Sequence, residues 1–218
     1  MTFEQIKSNP DVRVYITKAD EALAALGYTE HSFAHVTKVA EDAAMILETL
    51  GYDAHTVELA RIAGYMHDIG NLVNRADHSQ SGAVMAFRIL DKLGMPAEDI
   101  STVVSAIGNH DEGTGVPVNS VAAALIIADK CDVRRTRVRN TDQLSFDIHD
   151  RVNYSVEHSE VRVSKEEKRV TLTLTVDSAI SAVMDYFQIF IGRMQMSRAA
   201  AEALGLSFGL VINGQALL

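Results

Sequence analysis

At 218 residues, 47% hydrophobic and close to zero in mean hydropathy, the chain is sized for one folded unit with at most an appendage, and it can bury a sizeable core. Its net charge of −9 disfavours a nucleic-acid binder, and its longest apolar run, residues 121–128, is too short to span a bilayer. The single cysteine, Cys131, excludes an intrachain disulfide; with no basic-then-apolar leader at the N-terminus, a reducing cytoplasm is the expected setting.

Residues 1–140 read as helix after helix. Asn9-Pro10-Asp11 opens one that continues through Ala19, Ala22, Leu23 and Leu26 and stops at Gly27. A second, from about residue 32, carries Val36, Val39, Ala40, Ala43, Ile46, Leu47 and Leu50 on one broad apolar face and ends at Gly51. A third, about 54–68, buries Leu59, Ile62, Ala63 and Met66 and stops before Gly70. Helices are expected again at 79–93, 97–109 and 119–132, with turn-rich loops at 71–77 and 111–117. Loops this short suit a compact helical domain.

After residue 150 the period changes from helical to alternating. Val152, Tyr154 and Val156 alternate with polar residues, then Val161 and Val163 do so on the opposite parity, which places a bulge near 157–160. Residues 165–168 read as a hairpin connection, and Val170, Leu172, Leu174 and Val176 as its second strand. A long helix is expected from 178 or 179 to 204, ended by Gly205, with a third strand over 208–212. The expectation is a mainly α protein: a helical domain over 1–140 and a small α+β appendage of antiparallel strands and one long helix over 141–218. That helix carries Ile180, Val183, Met184, Phe187, Ile189, Phe190, Ile191 and Met194, more apolar width than one small sheet needs. Burial against the helical domain and a contact forming a homo-oligomer are both open readings.

Potential metal donors recur across the predicted helices: His35, His67-Asp68, His78, His110 and Asp129. Asp129 closes the apolar run, where an ionised carboxylate is costly unless a cation or several donors compensate it. An ion pair with Lys130 or Arg134 would serve there as well as a metal. Neighbours such as His67 and Asp68 project about 100° apart on a helix, so they share one ion only at a helix end or kink. His35 shares a face with Val39; His31, four residues earlier, stands on that face or in the preceding loop. Taken alone, each reads as structural or solvated. His55, His149 and His158 show no partner pattern and are expected on the surface or in strands, and the run Arg134, Arg135, Arg137, Arg139 reads as a solvated segment or as polyphosphate capture. Taken jointly, the nitrogen and oxygen donors, with no thiolate pattern, argue against a structural zinc knot. They favour Mn, Fe, Co, Ni, Mg or Zn in a site with open positions.

In their order, these pieces resemble the HD-domain metal-dependent phosphohydrolases. The resemblance is carried by His35-Val-Thr-Lys-Val-Ala40, His67-Asp68-Ile-Gly-Asn71, His78-Ser-Gln-Ser-Gly-Ala83, Asn109-His110-Asp-Glu112 and Ala128-Asp129, and covers roughly residues 30–135. It implies an all-helical bundle in which His35, His67, Asp68 and Asp129 hold one divalent metal. Further, His78 and His110 would recruit a second, with Asp68 bridging the ions and acting as the catalytic residue. The implied reaction is cleavage of a phosphoester of a small molecule or nucleotide by a metal-bound hydroxide, with His31, Lys130, Arg134 and Arg75 as candidate phosphate contacts; neither membrane nor nucleic acid is an expected partner. The residues after His67-Asp68 lack the acidic pair of the guanosine-tetraphosphate hydrolases of the family. Asn109-His110 and Gly115-Val116-Pro117 echo only part of its cyclic-di-GMP phosphodiesterase pattern. The same ligand order also occurs in di-iron oxygenases of this fold, and a non-catalytic ligand-sensing module is the third reading.

Overall fold

The computed structural model describes residues 1–142 and 145–218. Helix starts are fixed by side chains that satisfy the free N–H groups of a first turn, each such cap contributing about 1 kcal/mol. Asn9 accepts from the amides of Asp11 and Val12 to start α2 (Pro10–Ala25), Ser32 starts α3 (Phe33–Leu50), and Asp53 accepts from His55 and Thr56 to start α4 (Ala54–Met66). Gly27 and Gly51 end α2 and α3 at φ 82° and 87°, conformations that favour glycine. A short α1 (Phe3–Lys7), closed by a Thr2–Gln5 capping box, precedes them and was not expected from the sequence. The helices α5 (His78–Lys92), α6 (Ala97–Gly108) and α7 (Ser120–Lys130) follow.

The all-apolar segment expected to be buried is α7. Residues 121–128 are fully enclosed, with α3, α4, α6 and α9 (Val183–Ala203) packed around the helix. A helix apolar on every face requires a partner on every face, and α7 has them. The broad apolar surface of α9 is explained by this contact: Tyr186, Phe190, Met194, Ala200 and Ala201 are buried, while Met184 and Ile191 remain exposed.

The C-terminal part holds β1 (Val156–Ser164), β2 (Arg169–Val176), β3 (Ser207–Ile212) and a two-residue β4 (Gln215–Ala216) in the order β1-β2-β3-β4. β1 pairs antiparallel with β2 through the expected hairpin, and the register slips between Val156 and His158, where the parity change placed a bulge. β2 and β3 pair in parallel, with α9 as the crossover between them, rather than all strands being antiparallel.

Two further expectations are corrected. Residues 152–155 are not strand but the end of α8 (Ile148–Ser155), capped by Asp147. Val152 and Val156 lie four apart, a spacing that fits one helical turn as well as a period of two, and both are buried. The long helix begins at Val183 rather than 178 or 179, because Asp177 turns the chain first, its backbone oxygen accepting from the amides of Ile180 and Ser181. Among the described residues no helix is long and apolar enough to cross a membrane.

Candidate metal centre

The helices bring the sequence-predicted donors to one place. His35 lies in the first turns of α3, His67 at the end of α4, His78 at the start of α5, His110 just past α6 and Asp129 near the end of α7. The first two meet because α3 and α4 touch at Gly64: a Cβ there would stand 2.7 Å from the Ala40 Cα, and the His35 and His67 rings sit 5.2 Å apart. A second close approach fixes α5. A Cβ on Gly70 would fall 1.9 Å from the His78 carbonyl oxygen and 2.4 Å from the Gly82 nitrogen, so only glycine lets the turn after His67-Asp68 pack on this helix. At Asp68 the backbone leaves helical geometry (φ −95°, ψ 1°), the helix end that two adjacent donors need in order to converge.

Hydrogen bonds orient every one of these rings the same way. The Nδ1–H of His67 donates to the Gly64 carbonyl at 2.7 Å, that of His110 to Ile107 at 2.6 Å and that of His78 to Arg75 at 3.1 Å. His35 donates its Nδ1–H to the Asp132 carboxylate at 2.7 Å. Since carbonyl and carboxylate oxygens only accept, the protons sit on Nδ1 and each Nε2 faces the cluster. There Asp68 Oδ2 lies 3.2 Å from His67 Nε2 and 3.5 Å from His35 Nε2, while Asp68 Oδ1 lies 3.5 Å from His78 Nε2. Asp129 Oδ1 lies 3.4 Å from His35 Nε2 and 3.6 Å from His67 Nε2, and the Nε2 atoms of His78 and His110 are 3.2 Å apart.

These separations leave buried polar atoms unsatisfied. His35 Nε2, His67 Nε2 and Asp68 Oδ2 are enclosed with no hydrogen-bond partner, a state that buried groups rarely tolerate. Two overlapping sets of donor atoms, His35–His67–Asp129 and His67–Asp68–His110, each lie within 4.8 Å of one another. A cation among them would give every orphaned atom a partner, and a set of imidazoles and carboxylates suits a divalent metal. The residues therefore fit a metal site.

Electrostatics point the same way. Burial alone would raise the Asp68 and Asp129 pKa values. Instead the His67 and His35 imidazoles hold Asp68 well below the usual carboxylate range, and Lys130 together with the same imidazoles does so for Asp129. Burial opposes charge on His67 too, yet Asp68 and Asp129 push its pKa up to about 10; His35 is likewise raised by Asp129, Asp132 and Asp68 against burial and Arg137. His110 is driven well below its ordinary value by burial and by His67 and Lys130, which outweigh the opposing pull of Asp129. The paired carboxylates thus demand positive charge at the Nε2 atoms of His35 and His67, as protons or as a metal.

The candidate phosphate contacts separate. His31 lies in the loop before α3 and Arg75 before α5, and both line a cavity of about 550 Å³ together with Tyr28, Glu112, Phe190 and Arg193. The cavity borders the cluster: the His31 ring is 5.3 Å from that of His35, and Arg75 Nη1 is 3.3 Å from His78 Nε2. Lys130 is buried, 2.8 Å from Asp129 Oδ2 and 3.4 Å from Glu112, so Asp129 has the ion pair of the simpler reading as well as the histidines. Arg134 lies outside the lining, spent on Asp132 at 2.8 Å and Glu30 at 3.6 Å. The basic run is largely structural: Arg137 is buried, donating to the carbonyl oxygens of Glu30 and Asp132, and Arg139 pairs with Asp20. Asp132 was not singled out in the sequence; its only signal is an acid three residues past Asp129. Of the remaining histidines, His149 is on α8 and lines the cavity, while His55 pairs at the surface with Asp99 and His158 is exposed on β1.

A bundle of helices here converges buried imidazoles and carboxylates, a donor set that fits a divalent metal, beside a cavity. Residues 32–134 match the HD domain family, and this part of the chain is an HD domain. It is similar to the protein named uncharacterized protein MJ1020 of Methanocaldococcus jannaschii, at 24% identity over 85% of this chain and 80% of that one. It is also similar to the crystal structure of a predicted HD superfamily hydrolase from an uncultured Thermotogales bacterium, with 25% identity, 60% of this chain and 73% of that chain covered, and a TM-score of 0.44.

Proposed function

We propose that this protein is a metal-dependent phosphohydrolase that cleaves a phosphoester of a small molecule or nucleotide. The observation that carries the reading is the set of buried, partnerless atoms His35 Nε2, His67 Nε2 and Asp68 Oδ2 beside a cavity that an arginine enters. His35, His67, Asp68 and Asp129 would hold one divalent ion, and His78 and His110 would extend the site toward a second. Asp68 would serve both donor sets, since Oδ2 faces His35 and His67 while Oδ1 faces His78. When bound, the metal supplies a water of lowered pKa and neutralises charge on phosphate oxygens.

The chain's own residues supply the rest. Asn71 donates to Asp68 Oδ1 at 2.9 Å, which fixes the orientation of the carboxylate that would orient a water or take its proton. Among the described residues Arg75 has no carboxylate within 4.0 Å; it touches Asn71 Oδ1 at 3.4 Å and His78 and lies over the Tyr28 ring. A cavity-lining guanidinium with that freedom is suited to the substrate phosphate. His31, its Nδ1–H donated to Thr29 and its pKa held well below ordinary by burial and Arg137, presents a neutral Nε2 that can accept a hydrogen bond from a substrate hydroxyl or a water but cannot donate to phosphate oxygens.

The test is a phosphate-release screen of protein loaded with Mn²⁺, Co²⁺ or Ni²⁺ across phosphomonoesters and nucleotides, alongside Asp68→Asn. Metal-dependent release that falls at least a hundredfold in the variant supports the reading. No release from any substrate contradicts it, and iron-dependent oxygen uptake in place of release would assign the site to an oxygenase.

A further inference from the structure

Gly192 lies inside α9, ten residues into a helix of 21, where glycine is the poorest choice after proline. Most glycines near the site have a steric or conformational reason. Gly27, which lines the same cavity, adopts φ 82°; Gly64 and Gly70 sit against backbone that a Cβ would strike. Gly192 has none of these: its backbone is helical, and a Cβ there meets no heavy atom within 4 Å. What the missing side chain leaves is open space at an exposed position on the wall of the 550 Å³ cavity, which Gly192 lines with its helix neighbours Ile189 and Arg193. Any branched side chain at this position would take up room in that cavity.

The wall carrying Gly192 also reaches toward the cluster. Arg193 Nε pairs with Glu112 at 3.0 Å, Glu112 pairs with Lys130 at 3.4 Å, and Lys130 pairs with Asp129 at 2.8 Å. This chain of ion pairs ties α9 to a metal-facing carboxylate and sets the distance between them. The α8 side of the cavity adds Asp147, Asp150 and Asn153, acceptors and an amide suited to hydroxyl or amino groups. The volume is that of a pocket for a whole small molecule rather than for a bare phosphate.

We propose that Gly192 is a specificity-determining residue: by omitting its side chain it admits the non-phosphate body of the substrate, a phosphomonoester with a polar body of about nucleoside size. The proposal rests on the phosphohydrolase reading for the phosphate end and adds which part of the fold reads the other end. The C-terminal part of the chain thereby completes the pocket that the helical part begins.

The experiment compares Gly192→Leu and Gly192→Ala with wild type as full-length, metal-loaded proteins, measuring by calorimetry the affinities for inorganic phosphate and for a nucleoside monophosphate. In Gly192→Leu the phosphate affinity stays within about twofold and the nucleotide affinity falls at least tenfold; Gly192→Ala falls between and melts higher than wild type, because alanine favours the helix. Equal losses for both ligands, or no loss for either, would overturn the proposal. So would a changed sedimentation coefficient with unchanged affinities, which would assign the space to a second copy of the chain. Wild type that binds both ligands yet hydrolyses no phosphoester would refute the phosphohydrolase reading, while the two variant affinities still decide the role of Gly192. Wild type that binds neither ligand would end both.

Discussion

Asp132 accepts the Nδ1–H of His35 at 2.7 Å with both side chains fully buried, so the ring that faces the donor cluster is held from behind by a carboxylate three residues beyond Asp129. Asp132 is itself fixed by Arg134 at 2.8 Å and faces Arg137 at 3.8 Å, and with His35 these cations overcome burial and hold its carboxyl well below the ordinary range. A carboxylate behind a ligating imidazole sets the tautomer and makes the far nitrogen a better donor.

Asp132→Asn removes that charge while keeping the size of the side chain. Metal affinity of the variant is expected to fall about 10- to 100-fold with the helical circular dichroism unchanged. Asp132→Ala strands Arg137 in the interior as well, and should cost about 3–5 kcal/mol of stability in urea unfolding. Wild-type metal affinity in Asp132→Asn would show that the contact is only structural.

Gly70→Ala tests the packing that positions the cluster. Its Cβ has no room beside the His78 carbonyl oxygen, so the turn and α5 must separate. We expect a loss of about 1–3 kcal/mol and a weaker metal affinity, because His67-Asp68 and His78 lie on the two sides of that contact. An unchanged melting temperature and metal content would contradict the role given to this close approach.

The pH dependence of the metal-free protein follows from the shifts around the cluster. Asp68, Asp129 and Asp132 are depressed, so their contribution is present above their ordinary pKa of 3.8 and is lost as pH falls below it. His110 and His31 are also depressed, so their loss begins as pH falls below 6.5. His67 is raised, so its contribution is complete below 6.5 and is lost as pH rises toward about 10. The urea midpoint of chelator-treated protein should therefore decline on both sides of neutrality. Bound metal takes the place of the His67 Nε2 proton, so the alkaline decline should vanish in loaded protein and metal binding should release protons. An alkaline limb unchanged by metal would contradict the overlap of the two sites.

The helical scaffold and the order of the donors are legible in the sequence because they rest on local signals: Asn9-Pro10-Asp11 as a helix start, Gly27 and Gly51 as stops, and a wholly apolar 121–128 that has to be buried. What stays hidden is set by tertiary contact. Asp132 looks like any charged residue past a helix end until α3 brings His35 against it. Val152 and Val156 fit two periods, and only packing chooses the helix. His149 has no local pattern because the cavity it lines is built from segments far apart in sequence, and Gly192 reads as a poor helix residue until the space beside it is visible.

The central claim, that these donors hold a metal, is tested most directly by elemental analysis of the purified protein beside Asp129→Ala. Wild type should carry about one to two equivalents of divalent transition metal per chain, or take them up from added Mn²⁺, Co²⁺ or Ni²⁺, and Asp129→Ala should lose them while its helical content stays the same. Wild type that binds no metal under either condition, or a variant with the wild-type metal content, would contradict it.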